Sequence, residues 1–252
     1  EFMTQGLRCG SPSSQQGMTC VGKIEGYPLE VAVVIPFVYQ SVGSAELLLH
    51  LHGHNFSKQT LADYIKRYDF GRLLTASRRN AILLVPLSQG RCNEFESVLA
   101  DGPGFQAFIQ NTVLLLSKAG LIRHPELGTI TLTGHSGSYR ALAGILTHGV
   151  HADKINELYL LDCSYGRAAE FAAFAKASGR RFWSAYHFND GEMRKTQTEI
   201  MQQLTAAGIP YWAGPQANVP ASEVSGNRIG FVRSNKDHRD TLSRYWPVFL
   251  GR

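Results

Sequence analysis

The stretch Thr129-Ile130-Thr131-Leu132-Thr133-Gly134-His135-Ser136-Gly137-Ser138-Tyr139-Arg140 decides how this chain is read. A short β-branched, apolar run ends in Gly-His-Ser-Gly-Ser and passes directly into Ala141-Leu142-Ala143-Gly144-Ile145-Leu146, which has the composition of a helix. A serine at such a strand-to-helix corner sits on a tight, strained turn that pushes its hydroxyl into the open. Its neighbours must be small, because bulk there would strike the adjoining strand and helix. The following helix aims its first N–H groups at the same point, where a developing oxyanion would be stabilised. Ser136 is therefore the candidate nucleophile. Ser138 stands where this pattern usually has its second glycine, and the competing reading is a Ser/Gly-rich turn in which Ser136 or Ser138 caps the helix.

A chain of 252 residues can form one large α/β domain with a full core. Its 44% hydrophobic and 18% charged residues are those of an ordinary globular enzyme. No apolar run approaches bilayer-spanning length, so no membrane span is expected. The formal charge of +5 is scattered, apart from short groups such as Arg78-Arg79 and Arg180-Arg181. Without a basic stripe interleaved with aromatics, nucleic acid is not an expected partner, whereas an anionic substrate is compatible with the charge.

The four cysteines fit no metal-site spacing. Cys9 and Cys20 bracket a Gly/Ser/Pro/Gln-rich opening where a disulfide would tie down a loose segment. Their pairing would permit a secreted or periplasmic location without proving one, the alternative being a cytoplasmic one. Glu1-Phe2-Met3 looks like a cloning remnant. Residues 1–27 read as a loose N-terminal segment and 28–252 as a single domain.

Glu30–Pro36 and Ala45–Gly53 read as two strands of a hairpin. Helical spacing then covers Gln59 to about Ser77. Ala81–Leu87 is a continuous apolar run, as in a strand buried on both faces. Strands and helices alternate from there: a helix over Phe105–Ala119, the Thr129–Thr133 strand with its helix, a strand over Leu158–Asp162 and a helix over Ala168–Ala177. A strand over Arg181–Phe188, a helix over Lys195–Ala207, a last strand over Arg228–Val232 and a helix over Leu242–Leu250 complete the pattern. Tyr211–Gly226, with Trp212, Pro215 and Pro220, reads as an irregular insertion that either covers a site or forms a surface loop. The repetition implies a mainly parallel α/β sheet opened by an antiparallel hairpin, with helices on both faces.

With this order of elements, the Gly134–Ser138 elbow, the His52-Gly53 end of an early strand and a late histidine, the chain from about residue 28 onward resembles the α/β-hydrolase superfamily. The resemblance implies the three-layer α/β-hydrolase fold and a serine, acid and histidine in that chain order. Reactive groups in such a sheet collect at the carboxyl ends of the strands. Ser136, Asp162, Asn189-Asp190 and Ser234–His238 all lie at such ends. A serine hydroxyl needs a base, and His238, in the loop after the last strand, is where the superfamily places it. Asp162 and Asp190 compete as the acid that orients the base. Asp162 is preferred for its sharper strand-end placement, Asp190 being also a plain turn aspartate in Asn-Asp-Gly.

The oxyanion hole would combine the Gly137 N–H with one from the His52-Gly53-His54 turn, where Gly53 permits close approach and the resemblance implies His54 as the second donor. His50, His52 and His54 alternate along one strand face but lack Cys or carboxylate partners at ligand spacing, so neither metal nor cofactor is expected. His135 reads as packed beside the nucleophile. Arg91, in the polar loop Ser88–Glu96, and Tyr139, in the first turn of the elbow helix, are candidate substrate contacts. A surface pairing of Arg91 with Glu94 is the plainer reading. The expected activity is hydrolysis of a carboxylic ester, on a small-molecule or peptide substrate, through an acyl-enzyme. The alternatives are an amidase or peptidase acting on a carboxylate-bearing peptide, a catalytically inactive hydrolase-fold binding module, and a metal-dependent enzyme on the His50–His54 face.

Overall fold

The computed structural model describes residues 2–55, 57–215 and 219–251. Its chain order begins with β1 (Phe2–Thr4), β2 (Leu7–Cys9), β3 (Met18–Lys23), β4 (Glu30–Ile35), β5 (Ala45–Leu51), α1 (Leu61–Tyr68), α2 (Phe70–Ser77) and β6 (Ile82–Pro86). It continues through α3 (Gly102–Lys118), β7 (Leu127–His135), α4 (Tyr139–His148), β8 (Ile155–Leu161), α5 (Ala168–Lys176) and β9 (Arg181–His187). The last elements are α6 (Gly191–Ala206), β10 (Trp212–Pro215), α7 (Ala221–Gly226), β11 (Ile229–Ser234) and α8 (Asp240–Leu250). The eleven strands found among the described residues share one sheet in the order β1-β2-β3-β4-β6-β5-β7-β8-β9-β11-β10. From β6 to β10 every neighbouring pair is parallel, whereas β1 to β4 run antiparallel.

Alternation along the strands splits the apolar residues between two cores. Leu47, Leu49 and Leu51 of β5 face one core, with Phe105, Leu142 and Phe171. Leu48 faces the other, with Phe70, Trp183 and Trp246. Helices α3 to α6 cover the first face, and α1, α2, α7 and α8 the second. A strand buried on both faces has no polar side to alternate with, hence the unbroken apolar runs in the sequence.

Four expectations are corrected. Glu30–Ile35 and Ala45–Leu51 do not form a hairpin, because β6 lies between them and pairs with both. The intervening turn residues carry the chain past one sheet position instead of reversing it in place. The opening segment is not loose. Gln5 and Gly6, at φ 50° and 82°, form a tight turn that pairs Phe2–Thr4 with Leu7–Cys9, so Phe2 and Met3 join the sheet. The 59–77 helix is two helices, broken at Asp69, whose left-handed backbone ends α1 and starts α2. Tyr211–Gly226 is an edge strand and a short helix; residues 216–218 lie outside the described part. Its Trp212 stacks on Trp183 at 5.7 Å between ring centres, which anchors the segment to the sheet.

Cys9 and Cys20 face each other in the β2–β3 register and form a disulfide. Closing a loop of 11 residues restricts the unfolded chain, which is worth about 3 kcal/mol. Cys9→Ser/Cys20→Ser should therefore lower unfolding stability by about that amount, measured as the denaturant midpoint with and without reductant. A reductant-insensitive midpoint in the native protein would show that the bridge contributes nothing.

Candidate active site

Ser136 follows β7 with a left-handed φ of 57°, which a non-glycine residue keeps only where its surroundings hold it. Gly53 lies directly against it: a Cβ there would come within 2.6 Å of Ser136 Cβ and 3.1 Å of its Oγ. A Cβ on Gly137 would run into the His54 ring. The two glycines thus let the loop after β5 lie on the elbow. Ser138 is buried, and its hydroxyl lies 2.9 Å from the Leu51 carbonyl and 3.0 Å from that of His135. It occupies the N-cap position of α4 without bonding to the helix. In place of the usual glycine, this residue ties the elbow to the end of β5.

The structure brings Asp162, not Asp190, to His238. His238 Nδ1 is 3.3 Å from Asp162 Oδ2, the long end of hydrogen bonding. With Nδ1–H directed at the carboxylate, Nε2 keeps its lone pair. Asp162 is fully buried, also in a left-handed backbone at φ 46°. Its Oδ1 accepts the His187 N–H at 2.6 Å, and its Oδ2 accepts the Thr241 hydroxyl at 3.0 Å. Those two donors hold the carboxylate in its buried place. Asp190 caps α6, accepting the N–H groups of Glu192 and Met193 at 3.0 Å each. Thr241 was not singled out from the sequence; its position three residues beyond His238, in the first turn of α8, is the available signal.

His135 is packed beside the nucleophile and also meets the loop of His238. Its Nε2–H donates to the His238 carbonyl at 2.8 Å, and the two imidazoles stack with centres 4.6 Å apart. Burial, and next the proximity of His238, lower the His135 pKa to about 4, so it is neutral beside the other ring.

The loop after β5 is held by a relay. The Ser88 N–H donates to His52 Nε2 at 2.9 Å, which leaves His52 Nδ1–H to donate to the Gly53 carbonyl at 2.7 Å. Because C=O and N–H of a trans peptide point in opposite directions, fixing the Gly53 carbonyl fixes the orientation of the His54 N–H. Glu94 Oε2 accepts from Ser88 Oγ and Gln89 N, both at 2.7 Å, and so braces the relay. That carboxylate faces its own loop and does not pair with Arg91. Arg91 is exposed and does not line the cleft at Ser136; its charge, with that of Arg140, acts on His54, whose pKa is lowered chiefly by burial. Tyr139 is also outside the cleft, 6.0 Å from the Tyr165 ring. The ring nitrogens of His50 contact Thr133 Oγ1 at 2.6 Å and Tyr64 Oη at 3.0 Å, so they have protein partners. Among the described residues no group of three or more His, Cys, Asp or Glu is arranged to hold a metal ion.

Ser136, His238, Gly53 and His54 open into one cleft of about 250 Å³, which Tyr68, Arg67 and Arg239 also line. No family model matches the chain, and no curated protein is similar to it in sequence. Its structure, however, is similar to the feruloyl esterase module from Clostridium thermocellum, solved as a mutant complexed with sinapinate. That likeness has a TM-score of 0.55 at 14% identity over 98% of this chain and 89% of the other. The fold is that of the α/β-hydrolases. An S-formylglutathione hydrolase from Agrobacterium tumefaciens gives 0.52 at 12% identity, covering 96% and 99% of the two chains. The enterochelin esterase from Shigella flexneri gives 0.57 at 11%, covering 98% of this chain and 61% of that one. Among the described residues of this α/β-hydrolase-fold chain, no helix is long and apolar enough to cross a membrane.

Burial lowers the pKa of both His52 and His135 from 6.5 to about 4, and that of His50 well below 6.5. Between those values the unfolded chain binds more protons than the folded one. Stability is thus complete above about pH 6.5 and is lost as pH falls toward 4, by about 3 kcal/mol for each such histidine. Denaturant unfolding at pH 7 and pH 5 should show a loss of several kcal/mol. A midpoint that does not move over this range would mean that these imidazoles are not held neutral.

Proposed function

We propose that this protein is a serine hydrolase that cleaves a carboxylic ester through an acyl-enzyme. The observation that carries the reading is that Ser136, on its strained turn, shares one cleft with a histidine whose far nitrogen faces a buried carboxylate. In this mechanism His238 Nε2 removes the Ser136 proton as Oγ attacks the carbonyl carbon. Asp162 holds the imidazole in the required tautomer and stabilises the imidazolium that forms. The Gly137 and His54 N–H groups receive the negative charge of the tetrahedral intermediate. His238 then protonates the leaving alcohol, and a water activated by the same base releases the acid and restores the serine.

The relay from Glu94 through Ser88 and His52 keeps the second oxyanion donor in place before substrate arrives, so no reorganisation accompanies the reaction. Ester cleavage is favoured over amide cleavage because the similar folds include a feruloyl esterase and an enterochelin esterase.

A fluorophosphonate probe should label the native protein, and both Ser136→Ala and His238→Ala should abolish labelling. A folded native protein that stays unlabelled would leave a non-catalytic binding module as the better reading. The two aspartates are separated by kinetics. Asp162→Asn should reduce kcat on an activated ester by a factor on the order of 10³ to 10⁴. Asp190→Asn should leave kcat within a few-fold of native and change only the capping of α6, by about 1 kcal/mol or less. The reverse result would assign the acid to Asp190.

A further inference from the structure

The charge of the cleft has a consequence for the substrate. Two guanidinium groups line it beside the base: Arg67, from the last turn of α1, and Arg239, the residue after His238. Both are exposed. Tyr68 lies between these elements, and the charges of Arg67 and Arg239 both act on its phenol. No carboxylate lines the cleft among the described residues, and neither arginine forms an ion pair there. The acids nearby lie outside the lining of the cleft, Asp237 accepting the backbone N–H of Arg239 at 3.0 Å. Asp162 is buried behind His238, Asp63 bonds to Thr60, and Asp240 reaches Tyr68 only from the first turn of α8.

Two guanidinium groups from separate parts of the chain thus line one cleft with Ser136, and no carboxylate is among its lining residues. Such a field raises the local concentration of anions. The guanidinium fork also matches a planar carboxylate in two parallel hydrogen bonds. At about 250 Å³, the cleft is smaller than the roughly 300 to 1,000 Å³ of sites for drug-sized ligands. We infer that the substrate is a small ester bearing a carboxylate, seated by Arg67 and Arg239 within reach of the carbonyl that Ser136 attacks. This rests on the hydrolase reading and adds the substrate class to it.

The test uses two matched pairs of esters. One pair is para-nitrophenyl hexanoate and the para-nitrophenyl monoester of adipic acid, which differ by a terminal carboxylate on the acyl side. The other is phenyl butyrate and its para-carboxyphenyl counterpart, which differ on the alcohol side. For the native protein, kcat/KM should favour the charged member of at least one pair by about tenfold, the size of one charge-assisted contact. High salt should shrink that advantage. In Arg67→Gln/Arg239→Gln the advantage should fall to near parity. Because the ratio is taken within one preparation, loss of folded protein cancels. Native protein that turns over the neutral esters at least as well as both charged ones would overturn the anion subsite and leave the hydrolase standing. No turnover of any of the four, with no fluorophosphonate label, would overturn both.

Discussion

The left-handed backbone of Ser136 is the constraint around which the rest of this structure is arranged. A non-glycine residue in that conformation stores on the order of 1 to 3 kcal/mol of strain and relaxes unless its neighbours prevent it. Here β5 and β7 pair in parallel up to Leu51 and Gly134, so the elbow leaves the sheet from a fixed point. The Ser138 hydroxyl then bonds back to Leu51, and Gly53 lies against the serine itself. Any side chain at Gly53 would push the turn out of the shape that exposes Oγ.

The same corner shows how buried polar groups are made to agree with a large apolar core. His50, His52 and His135 are buried, and desolvation keeps them neutral. Neutral imidazoles can each donate one hydrogen bond and accept another, which suits positions where a carbonyl and an N–H or hydroxyl must both be satisfied. His52 does this between Ser88 and Gly53. The arrangement is vulnerable to acid because burial disfavours a second proton on these rings, and on His52 that proton would also meet the Ser88 N–H that already donates to Nε2.

Local patterns carried much of the fold. The apolar runs of β6 and of the second half of β8 are visible because strands covered on both faces have no polar side, and the Gly134–Ser138 corner is visible because only small residues fit there. The hairpin misreading of Glu30–Ile35 and Ala45–Leu51 has an equally physical origin. Adjacent strands joined by turn residues usually pair, and nothing local says that β6, arriving some thirty residues later, will take the place between them. The opening segment was misread through its Gly, Ser, Pro and Gln content, although the Gln5-Gly6 turn and the Cys9–Cys20 register make it part of the sheet.

By itself, the sequence determined a parallel α/β sheet, a serine at a strand-to-helix elbow and a histidine after the last strand, since each depends on residues adjacent in the chain. Only the tertiary structure separated the two aspartates by the groups they meet. Both follow strands, but Asp190 spends its oxygens on the N–H groups of α6, while Asp162 meets His238, 76 residues away, through the packing of α8. The arginines of the cleft follow the same rule. Arg67 and Arg239 are unremarked surface residues in one dimension, and they become neighbours of Ser136 because α1 and the loop before α8 end beside the same strand tips. Spacing along a chain encodes local geometry, whereas a site assembled from distant segments depends on how the sheet orders its strands.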